Sequence, residues 1–314
     1  MTLTTPTSGS ALSTQPQLLC WRCSSLLGEL SHPSTFTCSV CKADTALEDG
    51  IWRTLSPSQA ALFHHFVADY EFIRSAEGRG SPDPFYYRSL PFASIAHPLA
   101  AQWKVRASTF RYFTRNILPG APQTILDLGA GNAWLSHRLA LLGHKPVAVD
   151  LLTNPQDGLA ASANFPVSFP LVQAALDQLP FPNASFDLSI FNASFHYAED
   201  YQRTLAEALR CTRPGGLIVI ADTPWYSKDS DGLRMVEEKH TRFLATYGFA
   251  SNALASQEFL TPTRLSNLAE TFKLTWQVHK PFYGLAWSLR PLRAFLKHQR
   301  TPSRFHLFVA EVPA

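Results

Sequence analysis

From Thr124 to Thr223 the chain alternates short, almost continuously apolar runs with amphipathic ones, and few patterns restrict a fold more. The apolar runs are TILDLGA, KPVAVDL, a short one near FPLVQA, FDLSIFNAS and GGLIVIADT; between them lie AWLSHRLALLG, NPQDGLAASANF and YQRTLAEALRCTR. Strands that are apolar on every side chain must be covered on both faces, and crossover helices supply that cover. The pattern therefore predicts an α/β fold with a parallel sheet. Beyond Thr223 it changes: helices are expected at Asp231 to Gly248 and Thr263 to Phe272, then two strands, LTWQVHKPF and RFHLFVAEV. Those two lack a helical crossover and so read as an antiparallel edge.

At 314 residues and 46% hydrophobic, the chain has material for one large core and a small satellite. Four segments separate by texture. Residues 1–17 are rich in Ser, Thr and Pro and read as a disordered tail without the basic start or apolar run of a secretory signal. A cysteine-bearing module covers 18–53, and a helical, aromatic-rich cap or substrate region covers 54–118. The α/β domain covers 119–314, with an insertion at about 225–275. No run approaches the roughly 18 to 20 apolar residues of a membrane span. The expectation is a soluble, cytoplasmic protein with no membrane insertion.

Asp127-Leu128-Gly129-Ala130-Gly131 closes one predicted strand and opens a helix. Glycines there let the backbone turn sharply and approach a ligand, while free N–H groups at a helix start face its anionic part. Asp150 closes the next strand, where a carboxylate can accept hydrogen bonds from two ribose hydroxyls. Together they describe a nucleoside site.

With these residues in view, ILDLGAGNAWLSHRLALLGHKPVAVDL, LPFPNASFDLSIFNASFHY and LRCTRPGGLIVIADT, in that order over Thr124 to Thr223, resemble the class I S-adenosylmethionine-dependent methyltransferases, especially the ubiquinone/menaquinone-methylase-like branch. The resemblance implies a Rossmann-like methyltransferase sheet, mostly parallel with an antiparallel edge strand. It implies that Asp127, Gly129, Ala130 and Gly131 hold the methionine part of S-adenosyl-L-methionine, and Asp150 with Leu151 the ribose side. Ala175 and Leu176 would face the adenine, and Asn192 would lie beside the methyl group. Two positions depart from the branch: Ala133 stands where a third glycine is common, and Ala175 where an acidic residue often meets the adenine amino group. Asp177 lies two residues beyond.

Methyl transfer is mainly a matter of aiming and desolvating, so no catalytic triad is required. Asn192-Ala193-Ser194-Phe195-His196-Tyr197 ends the fourth strand, where open α/β sheets gather reacting groups. His196 is the candidate general base, since imidazole titrates near neutral pH. Asn192 and Tyr197 are its candidate companions. A hydrogen bond to a neighbouring loop is the plainer role for His196, and packing the plainer role for Phe195 and Tyr197.

Cys20-x-x-Cys23 and Cys38-x-x-Cys41, with 14 residues between the pairs, have the spacing of two knuckles closing on one structural zinc. Cys211, in an apolar helix, reads as core. Ribosomal-RNA guanine methyltransferases of one type also carry a zinc ribbon before this fold, where it helps grip RNA. Here the ribbon has few cations, mainly Arg22 and Lys42, and docking or stabilisation is the other reading. Arg290, Arg293, Lys297, Arg300 and Arg304 form an acid-free basic cluster, and Arg106, Arg111 and Arg115 a looser row; either binds phosphates or is a solvated face.

Phe85, Tyr86, Tyr87, Phe92, Trp103 and Phe110 are expected across the mouth of the cofactor site, with Trp225 and Tyr226 opening a lid. With a net charge of only +3, the functional expectation is a methyltransferase acting on a small, aromatic or apolar molecule. The alternatives are a methyltransferase of rRNA bases and a non-catalytic cofactor-binding protein. A DNA substrate is not expected, because the Asn/Asp-Pro-Pro-aromatic sequence of amine methylases is missing.

Overall fold

The structure, a computed structural model, describes residues 16–32 and 34–314. Of the tail read at 1–17, residues 1–15 lie outside the described residues; Pro16 O accepts from Leu30 N (3.0 Å) and Gln17 begins the first strand. In chain order come β1 (Gln17–Leu19), β2 (Leu26–Glu29), β3 (Phe36–Thr37), β4 (Asp44–Thr45), β5 (Leu47–Glu48) and β6 (Ile51–Arg53). Then follow α1 (Pro57–Ala76), α2 (Pro84–Ser89), α3 (Ala100–Asn116), β7 (Thr124–Leu128), α4 (Trp134–Leu141), β8 (Lys145–Asp150), β9 (Leu171–Gln173), β10 (Phe186–Asn192), α5 (Tyr201–Cys211) and β11 (Thr212–Ala221). The chain ends with α6 (Asp229–Tyr247), α7 (Pro262–Phe272), β12 (Gln277–His279), α8 (Leu285–Ser288), α9 (Arg290–Leu296) and β13 (Leu307–Glu311).

One nine-stranded sheet, ordered β12-β13-β11-β10-β7-β8-β9-β6-β5, organises the molecule. Strands β11, β10, β7, β8, β9 and β6 run parallel to their neighbours in that row. On one flank β13 pairs antiparallel with β11 and β12 with β13; on the other β5 pairs antiparallel with β6. The parallel heart with an antiparallel edge is the arrangement the apolar periodicity called for. Leu126, Leu128, Val147, Val149, Val172, Phe191, Ile218 and Ile220 are all buried in one core under the sheet. Ile125, Leu188, Ile190 and Val219 point to the opposite face, with Trp134, Leu135 and Leu139 of α4.

Two expectations need correction. The cysteine module, read as ending at Arg53, is not separate from the α/β domain. Its last strands β5 and β6 extend the main sheet, with Ile51, Trp52 and Arg53 in register with Leu171, Val172 and Gln173. Trp52, 1% exposed, joins the main core. The helix expected over NPQDGLAASANF is only a 3₁₀ segment, Leu159–Asn164. Before it the chain turns tightly at Asn154, whose side chain accepts from the N–H groups of Gln156 (3.0 Å) and Asp157 (2.8 Å). Local competition of this kind draws Asn out of helices.

Helix starts are written locally. Ser56 Oγ accepts from Gln59 N (3.2 Å) and Gln59 Oε1 from Ser56 N (2.9 Å), a reciprocal cap with Pro57 behind it. Asp200 caps α5 and Thr261 caps α7.

Candidate functional site

In an open α/β sheet, ligands sit outside the carboxyl ends of the strands where strand order reverses. Here that point lies between β7 and β10. The loop after β7 presses against the turn after β10: a Cβ on Gly129 (φ +72°) would stand 2.3 Å from Ser194 Cβ. Ser194 Oγ in turn donates a short hydrogen bond to Leu128 O. No side chain fits at Gly129, and the two loops form one continuous floor.

Above that floor opens a cavity of about 450 Å³, within the size of ordinary ligand pockets. Gly129, Ala130, Gly131, Asp150, Leu151, Leu176, Asn192, His196 and Tyr197, all named from the sequence, line it. Asp150 is the best-defined group: Oδ2 accepts from Gly131 N (2.7 Å) and Oδ1 from Leu152 N (2.8 Å). Burial pushes its carboxyl above the usual range, and the two N–H groups oppose that shift.

Asp127 and Ala175 do not line the cavity. Asp127, 1% exposed, lies beneath the loop, accepts from Ser136 Oγ (2.7 Å) and so ties α4 to β7. Burial raises its carboxyl to about 7. Ala175 is buried, and Asp177 pairs with Arg203 at 3.0 Å. Ala133 adopts φ 58° and is fully buried; a glycine meets such a backbone without strain, and alanine takes it at a cost of about 1 kcal/mol.

His196 sits on a 3₁₀ turn, Phe195–Tyr197. Its main-chain oxygen accepts from Glu258 N (2.8 Å), while its Nδ1 is buried with no hydrogen-bond partner. Burial lowers the imidazole to about 4, against a smaller upward pull from Glu258. The ring is therefore neutral at pH 7, and the same burial makes it a weaker base than a free imidazole.

The aromatic walls come from elsewhere than expected. Of the six aromatics between Phe85 and Phe110, only Trp103 lines the cavity. Tyr86 and Tyr87 are core, Phe85 is exposed, Phe92 lies under Arg111 and Arg138 (4.8 and 5.3 Å), and Phe110 packs on Trp134. Phe66 and Tyr70 of α1 form the wall beside Tyr197, Tyr70 meeting it edge-on at 5.5 Å. Trp287 and Phe305 close the far side. Trp225, expected to begin a lid, is clamped by backbone pairing with Arg304 and Leu260, and Tyr226 is buried.

Sequence reasoning also missed the polar rim. Arg74 ion-pairs with Asp157, whose other oxygen accepts from Asn132 Nδ2 (3.3 Å). Asp222, ending β11, accepts from Thr109 Oγ1 (2.6 Å), while its Oδ2 is buried without a partner. Arg106 lines the same cavity, with no carboxylate within 4.0 Å among the described residues. Arg106 was named from the sequence only as one of a basic row, and Asp222 carried a signal of its own, since it follows the end of a parallel strand on the cavity side. The row Arg106, Arg111 and Arg115 is no single face, because Arg111 lies over Phe92.

At the other end of the chain, the sulfurs of Cys20, Cys23, Cys38 and Cys41 all lie within 4.8 Å of one another, with Cys20–Cys41 and Cys23–Cys38 at 3.5 Å. A tetrahedron with 2.3 Å Zn–S bonds has edges of about 3.8 Å. Four soft thiols at that spacing fit zinc. The two knuckles repeat one backbone pattern: Ser24 N to Cys20 O (2.9 Å) and Lys42 N to Cys38 O (3.0 Å), with Ser24 and Lys42 at φ 58° and 60°.

A reversed-order parallel sheet, a glycine floor and an acid at the tip of the neighbouring strand define the Rossmann-like nucleoside-binding class. Residues 126–220, under a third of the chain, match the family described as methyltransferase domain. Malonyl-(acyl-carrier protein) O-methyltransferases of Buchnera aphidicola and Hahella chejuensis are 32% and 36% identical over 98 and 103 residues. Those segments are 31% and 32% of this chain, and the match spans only 38% and 36% of the relatives' own length. Among solved structures, a methyltransferase bound to its Trm112 activator from Haloferax volcanii shares 18% identity at a TM-score of 0.49, over 69% of this chain and 92% of that one. A Bacillus halodurans methyltransferase-like protein shares 18% at 0.48, over 66% and 100%.

Proposed function

We propose that the chain transfers a methyl group from S-adenosylmethionine to a small acceptor with a planar or apolar body, and that its four clustered cysteines hold a structural zinc. One observation carries the reading. The Gly129–Gly131 floor, the backbone-braced Asp150 carboxylate, Leu176 and Asn192 converge on a single cavity that Phe66, Tyr70, Trp103, Tyr197, Trp287 and Phe305 also line.

The cofactor fits these residues. Gly129 allows a floor that a Cβ would block, Asp150 offers acceptor lone pairs to ribose hydroxyls, and Leu151 and Leu176 give apolar flanks to a base. When bound, S-adenosylmethionine supplies an electrophilic methyl on sulfur. The chain does the rest. Asn192 and the 129–131 backbone orient the methionine side, and Phe66, Tyr70 and Tyr197 exclude water and give a positive charge aromatic neighbours. His196, which lines the cavity and whose buried Nδ1 has no partner in the protein, takes the acceptor's proton as the new bond forms. Arg106 and the unpartnered Asp222 oxygen give a bound molecule one cation and one acceptor to meet.

A cavity with aromatic walls favours a small acceptor over an RNA base, and the continuation of the cysteine module into the main sheet through β5 and β6 favours a stabilising role for it. The test is tritiated methyl transfer to a metabolite and lipid extract, to total RNA and to protein, alongside calorimetry with S-adenosylhomocysteine. Label confined to the small-molecule fraction is expected. Label in RNA alone refutes the acceptor class, and absence of S-adenosylhomocysteine binding refutes the enzyme.

A further inference from the structure

The C-terminal segment holds a surface that the reaction does not use. Leu285, Leu289, Leu292 and Leu296 recur at helical spacing along α8 and α9, yet they point away from the protein, with exposures of 75%, 45%, 55% and 68%. Phe295 (75%) and Phe282 (70%) flank the stripe. Ala294 on the opposite side is buried, and Trp287 reaches the reaction cavity. The amphipathic helix is thus mounted apolar face outward, the reverse of a helix that packs on a core. Isolated exposed leucines are ordinary; a continuous stripe is not.

Charge says what such a stripe meets. From Thr271 to Ala310 the chain has seven Lys and Arg and no Asp or Glu. Exposed Arg293 and Lys297 border the apolar stripe. Lys280, Arg290 and Arg304 line a second cavity of about 220 Å³ behind it, and none of the three has a carboxylate within 4.0 Å among the described residues. Trp287 and Phe305 are shared walls of that cavity and of the reaction cavity.

We propose that α8 and α9 dock this protein on the surface of an anionic lipid bilayer, the leucine and phenylalanine stripe entering the acyl boundary and the basic row meeting headgroup phosphates. Apolar side chains beside cations are the chemistry of an interfacial helix; the segment itself carries no acid, and the neighbouring Glu238 and Asp231 of α6 are engaged by Arg300 (2.6 Å) and Thr301 N (3.4 Å). Because Trp287 is at once part of that segment and a wall of the reaction cavity, docking brings the cavity close to the bilayer. On the proposed methyltransferase reading, the acceptor class is then a lipid-soluble molecule.

The test is flotation of the full chain with vesicles of phosphatidylcholine alone and of phosphatidylcholine mixed with phosphatidylglycerol. Two double variants accompany it, Leu292→Ser with Phe295→Ser, and Arg293→Glu with Lys297→Glu. None of these residues lines the reaction cavity. Wild type is expected to float with anionic vesicles only, and each pair to weaken binding by about tenfold or more, while S-adenosylhomocysteine binding stays unchanged. Failure of wild type to float overturns the proposal. So does loss on charge reversal with none on removing the apolar pair, which marks a polyanion site such as RNA, or light scattering that shows the stripe consumed in a dimer. Since flotation needs no turnover, docking and methyl transfer fail separately.

Discussion

Replacing Asp150 by Ala is the sharpest probe of the cofactor site. The carboxylate spends one lone pair of each oxygen on Gly131 N and Leu152 N, at 2.7 and 2.8 Å, and keeps the others for the cavity. A hydrogen bond to a charged group contributes about 1.5–3 kcal/mol. Two bonds to ribose hydroxyls therefore contribute about 3–6 kcal/mol, which at about 1.4 kcal/mol per decade weakens S-adenosylhomocysteine binding on the order of 100- to 10,000-fold in Asp150→Ala. Asp150→Asn retains one oxygen and should lose about tenfold. The Asn variant turns its amide NH2 toward one of those two backbone N–H donors, so its melting temperature should fall as well. Isothermal calorimetry gives the affinities, and thermal melting shows whether each variant is folded. A folded Asp150→Ala protein that binds within threefold of wild type would falsify the ribose assignment.

Further outcomes follow from the same geometry. Gly129→Ala places a Cβ 2.3 Å from Ser194 Cβ at φ +72°, so it should destabilise the protein by about 2 kcal/mol or more, seen as a lower midpoint in urea; an unchanged midpoint refutes the close approach. His196→Ala should leave S-adenosylhomocysteine affinity within a few-fold while methyl transfer falls about 100-fold or more. Because burial holds His196 near 4, it stays unprotonated down to about that pH, and wild-type kcat/KM should lack an acid limb at the ordinary imidazole value near 6.5; such a limb, lost in His196→Ala, contradicts that environment. Metal analysis should find about one zinc per chain, and its removal should expose Trp52, which stacks on Phe36 at 4.9 Å and donates to Leu30 O at 3.2 Å. Red-shifted tryptophan emission and a lower Tm after chelation are the readout, and an intact spectrum sinks the structural role.

Much of the fold is local and therefore readable in the chain. Continuous apolar strands announce a parallel sheet because each strand's own side chains must be buried on both faces. Gly129 is readable because a turn with positive φ admits few other residues, and the cysteine pairs because their spacing alone nearly builds a knuckle. Asp150 is legible as the acid closing a strand, since its place depends on one strand and one loop.

Tertiary structure alone decided what depends on distant segments meeting. Phe66 and Tyr70 became cavity walls because α1 crosses the mouth, and Arg74 found Asp157 83 residues away. Trp103 lines the cavity while Tyr86 and Tyr87 sink into the core, a difference of helix orientation that aromatic content cannot express. Asp127, at the end of its strand like Asp150, turned beneath the floor because Ser136 of α4 claims it there. The cysteine module read as independent, since zinc suffices to hold so short a segment; only the pairing of β6 with β9, a contact 120 residues apart between Ile51 and Leu171, made it an extension of the sheet. Periodicity reports which side of an element is apolar, and the direction that side finally faces is set by neighbours far along the chain. On α8 and α9 the same leucine spacing that elsewhere marks a core helix ended pointing outward.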